Sequence, residues 1–519
     1  MDVGHRQLRR LPAFAVLTVG ALVLGTGAGT AAPVAAPEAQ AQFIAATTSV
    51  TAERWAGEEG VYLDLGTHLV AGKDPLEFRV KRSAYSKPID AFQLVRGAGG
   101  KQRAVLLPAG MVKDFTGLAD FTHLKLIDSA GRTVVERDEN FCPNDWGSTR
   151  TRVDAPDSTP YPTECAWNPF VLGGVWGIQA GWSAATSNWW SGPVNVADGS
   201  YTAEVSINPQ YRKLLNIPDS AATLTLSVTV QSDDEGGRRA AEQLPSDSKQ
   251  RVLGAPGDDE HVAHGEAVSD SAPGLKPGAR PAVRAKAAPQ GPRPDLRSLP
   301  AWQIGVEQDE ETGHDQVTFN ATVWNGGTSP LVVDGFRRTG SGSDLMDAYQ
   351  YFYDANGTQV GYAQAGTMEW DARPGHDHWH FTDFAQYRLL NADKTIAVRS
   401  GKEAFCLANT DAVDLTLPYA KWRPTNTDLG TSCGRQTSVA VRQVLDIGSG
   451  DTYAQYLPGQ SFDITDLPNG TYYIEVAANP DQRLQESNLN NNNSYRKIIL
   501  GGTPGARTVT VPPHEGIEG

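Results

Sequence analysis

Histidine and cysteine are both scarce in this 519-residue chain, with 10 of the first and 4 of the second. Positive charge is also short. Lys and Arg total 45 against 60 Asp and Glu, a formal net charge of −15. That deficit argues against a nucleic-acid partner, which needs a basic footprint. It mildly favours a cationic substrate. Past residue 25 no run is long and apolar enough to cross a bilayer, so no membrane association is expected once a leader has gone. The cysteines fall into two local couples, Cys142 with Cys165 and Cys406 with Cys433. In an oxidising compartment they read as two disulfides rather than four free buried thiols.

The compartment follows from the N-terminus. Arg6, Arg9 and Arg10 precede an apolar run from Leu11 to Gly25, which is too short to span comfortably. Small residues follow at Thr30-Ala31-Ala32 and at Ala39-Gln40-Ala41, either of which suits cleavage. Residues 1–41 are therefore read as a signal peptide and the protein as secreted, with an uncleaved anchor as the alternative.

The fold class is all-β. Residues 43–231 alternate apolar and polar in short runs, as in Thr223-Leu224-Thr225-Leu226-Ser227-Val228, and turn residues punctuate them. Between 232 and 294 aromatics vanish and no apolar period survives, the composition of a long disordered linker. Alternation returns over 295–501, and 502–519 reads as a flexible tail. The two β regions repeat one another weakly. Asp198-Gly199-Ser200-Tyr201-Thr202-Ala203-Glu204-Val205 parallels Asn469-Gly470-Thr471-Tyr472-Tyr473-Ile474-Glu475-Val476, and the cysteine couples occupy equivalent places. Two related β-sandwich-like domains are expected.

Three of the histidines stand at alternate positions, His376, His378 and His380, inside Arg373-Pro374-Gly375-His376-Asp377-His378-Trp379-His380-Phe381. In an extended segment they share one face. The plain reading is a solvated strand face. The sharper one is a site for copper, zinc, iron or nickel, all of which accept imidazole. A straight strand would set the outer two ~13 Å apart, so the segment must curve to share an ion. Opposite them the first region has Lys113, Phe115 and Gly117, so only the second region would carry the metal.

Further motifs follow in order: Lys402 before Phe405-Cys406-Leu407, then Asp451-Thr452-Tyr453, then Glu486-Ser487-Asn488 with Asn491-Asn492. With the histidines, these resemble the catalytic domain of the lysyl oxidases, over about residues 294–500. The resemblance implies a copper site at His376, His378 and His380. It also implies a self-derived cofactor, lysine tyrosylquinone, made from Lys402 and Tyr453. The activity implied is oxidation of lysine side-chain amines in peptides or proteins, or of small primary amines, by dioxygen. Aldehyde, ammonia and hydrogen peroxide are the products. Asp383 is the first candidate for the general base, or for a partner orienting a histidine. The calcium site of animal members would fall on Asp295, Leu296, Glu486, Asn488, Asn491 and Asn492. Asn488 replaces the family's Asp, and an Asn-rich turn capping a strand is the competing reading. The first region has Asp138 opposite Lys402 and Trp182 opposite Tyr453, which makes it a degenerate copy.

Two other functions compete: a zinc hydrolase using the same histidines, and an extracellular metal-binding adhesion or structural β protein. The hydrolase gives Lys402 and Tyr453 no role, and the binding protein predicts no quinone and no peroxide. The linker adds a further hypothesis, that the first copy covers the second until cleavage near Arg238-Arg239 or Arg284.

Overall fold

The computed structural model describes residues 39–514 except 56–59, 98–99, 188–190, 233–279, 282–289, 310–311, 339–343, 355–356, 373–376, 383, 400–403, 424–428 and 456–459. The described residues are nearly all in strands and turns, with one two-turn helix, Pro209–Leu215. Alternation is the cause. In Thr223–Ser232 the apolar Leu226, Val228 and Val230 point inward and the intervening threonines and Ser227 point to solvent.

Among the described residues each half is built of three sheets. In the first half these are Ala41–Ala45, Thr67–Ala71, Trp182–Ala185, Thr149–Arg150; then Gly173–Ile178, Leu76–Lys81, Asp90–Arg96, Gln102–Leu106; and a five-stranded sheet. That third sheet runs Thr133–Phe141, Leu118–Asp128, Gly199–Ile207, Thr223–Ser232, Ser49–Arg54. The second half has a five-stranded sheet in the order Ile396–Arg399, Ala385–Asn391, Gly470–Ala478, Asn493–Thr503, Ala506–Thr510. The first four strands of these two sheets follow the same order with antiparallel pairing throughout. The fifth differs: Ser49–Arg54 pairs parallel, Ala506–Thr510 antiparallel.

Two sheets of the second half carry the chemistry-bearing residues. One is six-stranded: Ala404–Phe405, His378–Thr382, Gln359–Asp371, Leu345–Tyr353, Leu331–Arg337, Ala440–Leu445. The other runs Leu296–Ser298, Asp315–Asn325, Ser449–Tyr453, Asp411–Ala412. They enclose a core that includes Phe319, Met346, Trp379, Phe381, Phe405 and Tyr453. Asp315–Asn325 is buried along nearly its whole length: Val317, Phe319, Ala321 and Val323 face the core, and on the other face Thr322 meets Asn168 while Trp324 packs with Leu299 and Val413.

Three boundaries differ from expectation. Gln40 already belongs to the fold: its N–H donates to Leu215 O at 3.0 Å, and its carbonyl accepts from Gly72 N at 2.9 Å. The stretch from 502 is not a free tail as far as it is described. Ala506–Thr510 turns back on Asn493–Thr503 through Gly502 and Gly505, both at positive φ, and Gly505 N–H donates to Asp315 Oδ2. The Arg-Thr-Val-Thr run supplies the β-branched residues such an edge strand needs. Within the expected linker, Arg280 pairs with Asp347 at 2.7 Å, and the rest of 233–289 apart from Pro281 lies outside the described residues. Both disulfides form, Cys142–Cys165 and Cys406–Cys433, with Cα separations of 5.8 and 5.9 Å.

Candidate functional site

The strand His378–Thr382 lies between Gln359–Asp371 and Ala404–Phe405, with both faces covered. Alternation sets His378 and His380 on one face and Trp379 on the other. Trp379 is fully buried and donates from Nε1 to Arg435 O at 2.8 Å, which anchors the strand from behind. The two imidazoles turn toward each other, with Nε2 atoms 2.9 Å apart. Two nitrogens bound at ~2.0 Å to one ion, at roughly a right angle, stand about that far apart. The pair therefore fits a first-row transition ion. Asp371 sits opposite His378 in the register, and its carboxylate lies 3.3 Å from His380 Nδ1. The carboxylate closes off the Nδ1 side of the ring, and Nε2 is the nitrogen turned toward His378. His376 and Asp383 lie outside the described residues. Among the described residues no group of three or more His, Cys, Asp or Glu is arranged around one point.

Tyr453 ends the strand Ser449–Tyr453, opposite Ala321. It is buried, and its ring meets Phe405 edge to face with centroids 4.6 Å apart. Its hydroxyl accepts from Cys406 N–H at 3.0 Å and donates to Cys406 O at 3.2 Å. Burial pushes the phenol well above its ordinary pKa, and the charges of Asp451, Tyr387 and Asp371 push the same way. Tyr453 is thus a neutral phenol whose hydroxyl is bracketed by one backbone unit. Asp451, two residues earlier, shares its face of the strand and is buried with it.

The segment after Lys402 joins the two elements. Phe405 and Ala404 pair with Phe381 and Thr382 of the histidine strand, and the next residue, Cys406, holds the Tyr453 hydroxyl. Lys402 itself lies outside the described residues. The Cys406–Cys433 disulfide ties this segment down, and Cys433 O accepts from Trp379 N–H at 3.0 Å. Gln443 bridges from the other side: it donates to Trp379 O at 2.6 Å and accepts from Leu407 N–H at 3.2 Å.

The residues proposed for calcium divide. Asp295, Glu486, Asn491 and Asn492 converge: Asn491 Nδ2 lies 3.1 and 3.2 Å from the two Asp295 oxygens, and Asn492 Nδ2 donates to Glu486 Oε1 at 2.8 Å. Leu296 N–H donates to Glu486 Oε2 at 2.8 Å. Burial, with the charge of Asp295, raises the Glu486 pKa. The Oδ1 atoms of Asn491 and Asn492 are buried without a hydrogen-bond partner. Two carboxylates and two orphaned amide oxygens fit a hard cation. Asn488 departs from that group. It is exposed, and its Oδ1 accepts from Asn490 N–H at 3.0 Å, the turn-capping role. Arg297 also reaches Asp295, at 2.7 Å.

Residues 350–508 match the family model described as lysyl oxidase. This stretch is similar to the lysyl oxidase family. It contains the three histidines, Lys402 and Tyr453, but begins after Asp295. The chain is 30% identical to "Lysyl oxidase homolog 3B" of Danio rerio over 25% of its own length and 14% of the relative's. It is 34% identical to "Protein-lysine 6-oxidase" of Rattus norvegicus, and 33% to that of Homo sapiens. Each match covers 24% of this chain and 26% of the relative. The chain thus spans only about a quarter or less of these relatives. Within the matched stretch, sequence reasoning passed over Asp371 and the pairing of Tyr453 with Cys406. A carboxylate closing the strand before the histidines was the available signal for the first. The second had none.

Proposed function

We propose that the protein is a secreted copper- and quinone-dependent amine oxidase. It oxidises lysine side-chain amines of peptides or proteins, or small primary amines, to aldehydes, with release of ammonia and hydrogen peroxide. The observation that carries the reading is the junction at Phe405-Cys406. Inside the stretch similar to the lysyl oxidases it lies beside the histidine strand and holds the Tyr453 hydroxyl.

In this reading His376, His378 and His380 hold copper, and Asp371 borders the Nδ1 side of the His380 ring. Lys402 and Tyr453 are the precursors of lysine tyrosylquinone. When formed, that cofactor supplies a carbonyl that takes up the amine and accepts two electrons, which dioxygen then removes. The chain's own part is to exclude water, with Phe405 and the surrounding core closing over Tyr453, and to move the proton next to the amine nitrogen. Asp383 is proposed as the base. Asp295, Leu296, Glu486, Asn491 and Asn492 are proposed as a structural calcium site. The first half, with Trp182 and Asp138 in the places of Tyr453 and Lys402, is proposed as a degenerate copy of the second, supported by the shared strand order.

The test is a visible absorption spectrum of protein secreted with copper, before and after phenylhydrazine. A broad visible band and a coloured adduct are expected, both lost in Tyr453→Phe and Lys402→Ala. Folded, copper-loaded protein that shows neither would overturn the reading in favour of a zinc hydrolase or a metal-binding adhesion protein.

A further inference from the structure

The first half does not stand apart from the second. Leu172 N–H and Gly173 N–H both reach Val413 O, at 2.7 and 3.1 Å, and Leu415 N–H returns to Gly173 O at 2.8 Å. This short parallel bridge continues the backbone pairing of one half into the other. A Cβ at Gly173 would lie 2.1 Å from Asp414 Oδ1 and 2.6 Å from Thr416 Oγ1, so a larger residue there must displace both side chains. Aromatic contacts surround the bridge. Tyr161 stacks on Trp422 at 6.0 Å, Arg79 lies 4.0 Å over the same ring, and Trp167 meets Trp302 at 4.7 Å.

At the centre of this contact is a buried polar knot. Asn168 of the first half donates from Nδ2 to Asp411 Oδ2 at 2.7 Å and lies 3.1 Å from Thr322 Oγ1. Thr452 donates to the same Asp411 oxygen at 3.1 Å and lies 2.8 Å from Thr322 Oγ1. All four residues are buried. Thr452 precedes Tyr453. Successive residues of a strand face opposite ways. So the first half grips the reverse face of the strand that presents Tyr453 to Cys406 and Phe405.

We propose that Asn168 is a positioning residue for Tyr453, and that the first half is an internal buttress of the tyrosine strand rather than a cover over it. The proposal rests on the amine-oxidase reading for its chemical consequence. A carboxylate as deeply buried as Asp411 requires its donors, and Asn168 is the donor the other half contributes. Loss of it loosens the strand on which the phenol must be aimed for oxidation and coupling.

The experiment uses the full chain. In Asn168→Ala, hydrogen exchange at the amides of Ser449–Tyr453 is expected to accelerate about tenfold, the effect of losing one hydrogen bond to a charged group. Quinone absorbance per bound copper is expected to fall severalfold while copper content stays constant. The exchanged pair Asn168→Asp with Asp411→Asn keeps a donor facing an acceptor and is expected to restore both readings. Wild-type exchange and absorbance in Asn168→Ala would overturn the proposal, as would failure of the exchanged pair to rescue when it folds like wild type by circular dichroism. If the wild type itself forms no quinone, the amine-oxidase reading fails, and the exchange data alone still decide the positioning role.

Discussion

Asp411→Asn should change how stability depends on pH. Burial raises the Asp411 pKa from 3.8 to about 6, opposed by hydrogen bonds from Asn168 and Thr452. In the unfolded chain the carboxyl has its ordinary pKa. Below pH ~4 it is protonated in both states and destabilises neither. Between pH ~4 and ~6 the unfolded chain releases the proton and the native chain keeps it, so native stability falls as pH rises. At about 1.4 kcal/mol per unit over roughly two units, the loss is on the order of 3 kcal/mol, complete above pH ~6. Asparagine keeps an oxygen for Asn168 and Thr452 and cannot ionise. Asp411→Asn is therefore expected to gain stability over wild type by up to ~3 kcal/mol at pH 7.5 and by much less at pH 4. Urea denaturation of both proteins at those two pH values measures it. Asp446 is raised to about 6 by burial as well, so the variant retains part of the slope and the difference profile is the quantity to read. A difference that is flat with pH would refute the reasoning.

Tyr453→Phe should keep the edge-to-face contact with Phe405 but lose both bonds to Cys406, costing about 1–3 kcal/mol by urea denaturation and all quinone absorbance. Replacing Cys406 and Cys433 together by Ser opens a loop spanning 27 residues. It should cost about 3–4 kcal/mol and lower copper content, because Cys433 O fixes Trp379; metal analysis and denaturation read the two effects. Calcium should raise the melting temperature of chelator-treated wild type and not that of Glu486→Gln; an equal rise in both would remove the proposed site. Protein nicked near Arg238-Arg239 should elute as one particle in gel filtration, since bridge and aromatic contacts join the halves. Separation of the halves would contradict the buttress.

Much of this protein is written in short stretches of its chain. Alternation of apolar residues determines the strands, because strand period and burial are properties of neighbouring residues. The same locality made the shared face of His378 and His380 and the strand ending in Asp451-Thr452-Tyr453 readable. The two cysteine couples, 23 and 27 residues apart, were readable too. What lay beyond the sequence depends on residues far apart in it. Cys406 holds the hydroxyl of Tyr453, Asp371 stands behind His380 across a strand pair, and Asn168 reaches Asp411 over 243 positions. The strand 506–510 was misread as tail because its apolar residues are few, and its partner Asn493–Thr503 supplies the pairing that orders it. Local pattern sets which face a side chain takes. Which surface then meets that face is decided only when sheets pack, and packing carried a buried asparagine from the first half to the back of the tyrosine strand.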